Sequence, residues 1–209
     1  MIELLGLLSL GFMVGLSGAV IPGPLLAFTV YDSTKKGKAT GHLVVFGHVA
    51  WELLVILVIL LGFSWIILQG RVVIYSLGGP VLILMGLGMI RSTASKVELQ
   101  SSRTDSSLAG GVFYTAFNPT QPVWWATAGL ALLLKGLEVM GVFGVVLVTA
   151  GHWLSDFFYY VLVSVMVHRH RRAIVPHQLL LSRGLGFFLV LLGAYFLVDA
   201  LPRLYLKLF

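Results

Sequence analysis

The stretch Gly18-Ala19-Val20-Ile21-Pro22-Gly23-Pro24-Leu25 interrupts an otherwise apolar run near the start of the chain. Two prolines this close cannot sit in one regular helix. Each lacks an N–H, and each ring collides with the carbonyl four residues earlier. Gly23 between them lets the chain take dihedrals that other residues avoid. A second interruption, Asn118-Pro119-Thr120-Gln121-Pro122, lies in a later apolar run. Whether the two are separate kinks or one device used twice decides the fold.

Working outward, the 209 residues are 58% hydrophobic and 11% charged, with mean hydropathy +0.99. That leaves too little polar surface to coat a soluble globule. Apolar runs long enough to cross a bilayer recur at roughly 4–30, 42–68, 72–90, 109–134, 139–167 and 184–202. The expectation is an all-α polytopic membrane protein with six transmembrane helices, a single membrane domain over 1–209 in the cell (inner, cytoplasmic) membrane. Continuous runs of this kind argue against a β-barrel, whose strands alternate. Met-Ile-Glu-Leu-Leu lacks the basic region of a signal peptide, so the first segment reads as a retained span. Without cysteine there is neither a disulfide nor a thiolate metal site.

The net charge of +6 is distributed by topology. Lys35, Lys36, Lys38, Arg91, Lys96, Arg103, Arg169, Arg171, Arg172 and Arg183 fall in the first, third and fifth connections, ten of the fourteen basic residues. Positive-inside bias puts those connections in the cytoplasm and both termini outside. The basic run at 168–172, His-Arg-His-Arg-Arg, flanks a span end and reads as a topology signal with lipid contact, not as a nucleic-acid site.

The one long hydrophilic segment is a Ser-rich linker at about 92–107. It separates a first repeat, about 4–91, from a second, about 108–202, each of three spans. In each, a proline-broken helix precedes a Gly-His-x-x-x-acid motif, Gly47-His48…Glu52 and Gly151-His152…Asp156. Each closes with glycines seven apart, Gly79/Gly86 and Gly186/Gly193. An odd number of spans forces the second unit to insert upside-down, giving two inverted three-helix repeats, the architecture of many secondary transporters.

On this reading Pro22 and Pro24 free the carbonyls of Gly18 and Val20, and Pro119 and Pro122 free those of Thr115 and Asn118. Asn118-Pro119 reads as the N-cap and first residue of a new half-helix. Breaks facing lipid would leave unsatisfied backbone groups, so they should face a wet cavity. Half-helix N-termini suit a carboxylate and C-terminal carbonyls suit an ammonium. Pro22, Gly23, Pro24, Asn118, Pro119, Thr120, Gln121 and Pro122 are therefore the expected substrate-binding residues for a small zwitterion.

His48/Glu52 and His152/Asp156 are spaced i, i+4 and share a helix face. Mid-membrane ionisable residues mark ion and substrate paths, so these four are the expected proton-coupling groups. Trp124, Trp125, Tyr159 and Tyr160 read as packing or interface aromatics, with cavity lining the minor alternative. Asp32 reads as a solvated helix-end charge.

The segment Pro22-Gly23-Pro24 followed by Gly37, Gly41 and Gly47, then Phe117-Asn118-Pro119 and Asp156, resembles the LysE/RhtB family of amino-acid exporters across nearly the whole chain. Two positions depart from that pattern: Thr120 stands where a lysine often follows Asn-Pro, and Trp51 where a further glycine is expected. The resemblance implies a six-helix inner-membrane carrier, not an enzyme, that expels amino acids or related metabolites on a proton or ion gradient. No cofactor and no resident metal is called for. The competing reading is an intramembrane metal-dependent enzyme or metal-ion carrier using His48, Glu52, His152 and Asp156, since imidazole and carboxylate suit zinc, manganese or iron. No HExxH or GxSxG motif accompanies it. The glycine faces around Gly79/Gly86 suit packing within one chain or in a homodimer.

Overall fold

The computed structural model describes residues 2–21, 23–63, 71–91, 106–118 and 120–208, and every element among them is helical. Pro22, Pro119, Lys96 and Arg103 lie outside the described residues, as does most of the expected linker. Helix α1 runs Ile2–Ala19 and α2 Pro24–Lys36, so the first apolar run is broken where the prolines stand. Helix α3, Thr40–Val58, continues through a π turn, Ile59–Phe63. Helix α4 is Arg71–Ile90. Helix α5, Ser107–Ala116, opens where Ser106 Oγ accepts the Ala109 N–H at 3.3 Å, a side-chain cap that ends the polar linker. Helix α6, Thr120–Trp124, passes through a π segment, Trp125–Gly129, into α7, Leu130–Arg169. A short turn of helix, α8 (Arg171–Ile174), leads to α9, Gln178–Leu208.

A straight 40-residue helix would be about 60 Å long, twice a hydrocarbon core. Helix α7 avoids this by reversing at Met140 and Gly141, where Gly141 takes φ +60°. Gly136 and Gly144 then touch backbone to backbone, an approach that seven intervening helical positions could not give. The two arms of α7 thus form a helical hairpin. An equivalent glycine, Gly37 with φ +87°, turns the chain from α2 into α3.

Helices meet through reciprocal small-residue contacts. Where α1 crosses the second arm of α7, Gly11 abuts the Val148 carbonyl and Gly151 the Leu8 carbonyl; where α5 crosses α3, Gly111 abuts the Val44 carbonyl and Gly47 the Leu108 carbonyl. Helices α4 and α9 cross with Gly79 on the Gly193 carbonyl and Gly86 on the Gly186 carbonyl. Of the two arrangements the glycine faces allow, these glycines therefore pack within the chain.

Three apolar clusters follow. One holds Leu7, Val55, Ile56, Trp125, Leu132, Leu133 and Val148; a second lies between α4 and α9; a third holds Leu25, Val44, Val45 and Tyr160. Large side chains such as Met13, Leu57, Leu61, Val142 and Phe158 face outward, as a lipid-solvated surface requires. Among the described helices, Ile2–Ala19, Thr40–Gly62 and Thr120–Arg169 are long and apolar enough to cross a membrane.

Asp32 corrects a sequence expectation. It is buried, paired with Lys36 Nζ at 2.9 Å and accepting from Ser107 Oγ at 2.6 Å. It ties α2 to the start of α5 instead of standing in solvent. A carboxylate with two such partners offsets its desolvation, which an unpaired one cannot do.

Candidate functional site

Both interruptions open onto one cavity of about 90 Å³. That is several times the roughly 10–15 Å³ one water needs on the same measure. Gly18, Ala19, Ile21, Gly23 and Leu25 line it from the first break, and Asn118, Thr120, Gln121 and Trp124 from the second. Helix α3 supplies His48 and Glu52, and α7 supplies His152, Asp156 and Tyr160. Among the described residues proposed from sequence, Pro24 is buried and Pro122 half-buried, and neither lines the cavity.

The backbone at the breaks is less bare than the prolines suggested. Gly18 O accepts from Ile21 N at 3.1 Å, Thr115 O from Asn118 N at 3.1 Å, and Asn118 O from Gln121 N at 3.2 Å. Three of the four carbonyls expected to be free are thus taken up by tight turns, which satisfy chain ends that cannot reach water. Asn118 caps as expected: its Oδ1 accepts from Thr120 N at 3.2 Å and from Thr120 Oγ1 at 2.7 Å. The start of α2 has no such cap. Its N-cap is Gly23, without a side chain, so no side chain caps its first-turn N–H groups. The Asn118 amide nitrogen lies beside it, 3.7 Å from where a Cβ on Gly23 would stand.

The four ionisable residues converge. Glu52, 2% exposed, accepts from Trp125 Nε1 at 2.7 Å and Gln121 Nε2 at 3.4 Å on Oε1, and from Trp153 Nε1 at 3.1 Å on Oε2. His48 Nε2 stands 3.2 Å from Glu52 Oε1 and 3.7 Å from Asp156 Oδ2. His152 Nε2 stands 3.3 Å from Glu52 Oε2 and 3.3 Å from Asp156 Oδ2. Helices α3 and α7 thus each contribute one imidazole and one carboxylate to a single buried group.

The two histidines are not equivalent. The Thr115 hydroxyl donates to Gly111 O at 2.7 Å, so its oxygen accepts the His48 Nδ1–H at 2.9 Å. That bond fixes the His48 tautomer and turns Nε2 toward the carboxylates. His152 Nδ1 has no hydrogen-bond partner; Gly15 of α1 packs against it, leaving no side chain to answer it. His152 is instead held by aromatic faces, stacked on Trp124 at 4.9 Å and edge-on to Trp125 at 4.9 Å.

Thr115, Gly15 and Trp153 are functional neighbours that sequence reasoning missed. Trp153 directly follows His152, which was a usable signal. Thr115 and Gly15 announce nothing until the helices cross. Trp124 and Tyr160 line the cavity, Trp125 binds the carboxylate from full burial, and Tyr159 does not line it.

A cavity at two broken helices, with buried imidazole and carboxylate from both halves, is transporter geometry. The family model for LysE type translocators matches residues 16–200. The chain belongs to the LysE type translocator family. As a member it is a multi-pass membrane transporter with a small-molecule substrate, and the family suggests an exporter of amino acids or related compounds. Comparison with curated proteins and with solved structures returns no match.

Proposed function

We propose that this LysE type translocator exports a small zwitterionic solute, an amino acid or close relative, in exchange for protons carried by His48, Glu52, His152 and Asp156. The observation that carries the reading is the shared cavity: both backbone breaks and all four ionisable residues line it. The solute carboxylate sits at the uncapped start of α2 beside the Asn118 amide, where the helix dipole favours negative charge. Its ammonium faces Glu52 and Asp156. Thr120 and Gln121 add polar contacts from the second break, while Pro22, Pro24, Pro119 and Pro122 keep the helices open.

The hydrogen-bond pattern supports a proton or another cation at this centre. His48 Nδ1–H is engaged by Thr115, so a His48 carrying no second proton would turn a bare Nε2 lone pair toward Glu52. Either imidazole or carboxylate must hold a proton there, or a cation must replace it. Loading that proton and binding the solute ammonium compete for the same carboxylates, which is the coupling an exchanger needs.

The reciprocal glycine contacts support two inverted repeats, about 4–91 and about 108–202, within one membrane domain. Leu8 and Leu108, like Gly11 and Gly111, are 100 residues apart; Val44 and Val148, like Gly47 and Gly151, are 104 apart; Gly79 and Gly186, like Gly86 and Gly193, are 107 apart. Each contact therefore has a counterpart with its partners exchanged between halves, as a two-fold axis requires. Alternating access follows if the cluster around Leu7, Leu132 and Val148 and the one around Leu25, Val44 and Tyr160 open in turn on either side of the cavity. Basic residues at the turn carrying Gly37 and His168 favour a cytoplasmic position for that end, with both termini outside.

The test is counterflow of neutral and basic amino acids in proteoliposomes, followed by accumulation driven by an imposed pH gradient. At least one solute should exchange, and Asp156→Asn should lose gradient-driven accumulation while keeping its helical content. Gradient-driven accumulation at the wild-type rate in that variant would overturn the proton assignment; no exchange of any amino acid would overturn the solute class.

A further inference from the structure

We propose that His48 Nε2, Glu52 Oε1, His152 Nε2 and Asp156 Oδ2 form a four-ligand site for one divalent transition-metal ion of the zinc class. The inference rests on reading these residues as one cation-binding centre, as above, and is independent of which solute is exported.

The first argument is convergence. The four ligand atoms all lie within 4.8 Å of one another. Around a tetrahedral ion with bonds of about 2.0–2.1 Å, neighbouring ligand atoms are about 3.3–3.4 Å apart. The imidazole-to-carboxylate edges here are 3.2 Å (His48–Glu52), 3.4 Å (His152–Glu52), 3.3 Å (His152–Asp156) and 3.7 Å (His48–Asp156). These four edges are close to tetrahedral values, and the two remaining separations, His48 to His152 and Glu52 to Asp156, within 4.8 Å, must draw in as the ion is bound. Asp156 Oδ2 is fully buried, and for all its closeness to two imidazoles it makes no hydrogen bond. Its lone pairs are therefore unclaimed by any donor and lie within 4.8 Å of the other three ligand atoms.

The second argument is charge and outer support. The group carries two carboxylates in a site that neither lysine nor arginine lines among the described residues. One divalent ion neutralises both. Metal-bound imidazoles depend on a partner at the other ring nitrogen, and metal-bound carboxylates on further donors. Thr115 serves His48 in that way and Trp125 and Trp153 serve Glu52, whereas His152 Nδ1 has no such partner and its ring is held by Trp124 and Trp125 instead. The donor set, two nitrogens and two oxygens without sulfur, suits zinc, with iron and manganese as weaker fits to a four-coordinate geometry. The ion occupies the lone pairs that otherwise carry coupling protons, so it inhibits export.

Zinc titrated calorimetrically into the purified full chain in detergent, with no solute present, tests this. One ion per chain should bind, with His152→Gln and Asp156→Asn each weakening it at least tenfold. Thr115→Val, which touches no ligand atom, should weaken it about 10–100-fold through the loss of outer support. A His170→Gln/His177→Gln variant, altered only at exposed histidines, should bind like wild type. X-ray absorption on the wild-type complex should show four nitrogen or oxygen neighbours at about 2.0–2.1 Å. Absence of stoichiometric binding, a shell of six light atoms, or binding that follows the surface histidines would overturn the proposal. Because the readout is binding without transport, a failure here is distinguishable from a failure of the exporter reading, which counterflow alone decides.

Discussion

Thr115→Val isolates the bond that makes the two histidines unequal. Valine keeps the shape of the side chain at a site 1% exposed and removes only the hydroxyl. Two bonds are lost. The bond to Gly111 O is a local one within α5, whose carbonyl keeps its helical partner, so its loss costs little. The other, 2.9 Å from His48 Nδ1, leaves a buried N–H without an acceptor, because Val44, Val45 and the α5 backbone close over that side of α3. An unsatisfied buried donor costs about 1–3 kcal/mol. For a chain of this size that lowers the thermal midpoint by about 2–12 °C. Export should suffer more than folding, since His48 would then carry its proton on either ring nitrogen and Nε2 would no longer be held ready to accept one beside Glu52. Thr115→Ser, which restores the oxygen, should recover both. The assay is thermal unfolding in detergent beside gradient-driven accumulation in proteoliposomes. If Val and Ser behave alike, or if Val leaves both measurements at wild-type values, the fixed tautomer has no role and the reasoning fails.

Three further substitutions probe other parts of the structure. Gly111→Ala pushes a methyl into the Val44 carbonyl, and because backbone cannot swing aside it should destabilise the fold by about 1–3 kcal/mol, read as a lowered thermal midpoint. Asp32→Ala strands a buried Ser107 hydroxyl and the Lys36 ammonium, so it should cost a similar about 1–3 kcal/mol in the same assay, where a solvated Asp32 would have cost almost nothing. Asn118→Ala removes the cap on Thr120, worth about 1 kcal/mol, and also the amide beside Gly23. It should therefore raise the half-saturating solute concentration in counterflow more than it lowers stability, and an unchanged concentration would remove Asn118 from the site.

Much was legible in the sequence because bilayer physics leaves few options. Apolar runs of span length, the split charge and the duplicated Gly-His-x-x-x-acid motif require no knowledge of packing. They indicated a helical membrane protein and the four residues that meet at its centre. Both prolines at positions 22 and 24 announced a break that helix chemistry makes unavoidable, and the chain is indeed divided between Ala19 and Pro24. What lay beyond reach was every property set by one helix crossing another. Asp32 looks solvated beside its lysines, yet Ser107, 75 residues away, covers it. The freed carbonyls were counted from the proline rule alone, while tight turns closed three of them. His48 and His152 occupy identical motifs, and only the crossings with α5 and α1 give one a threonine and the other a glycine. Spacing along a single helix fixes which side chains share a face; which groups answer them across a crossing is settled by close approach between segments a hundred residues apart.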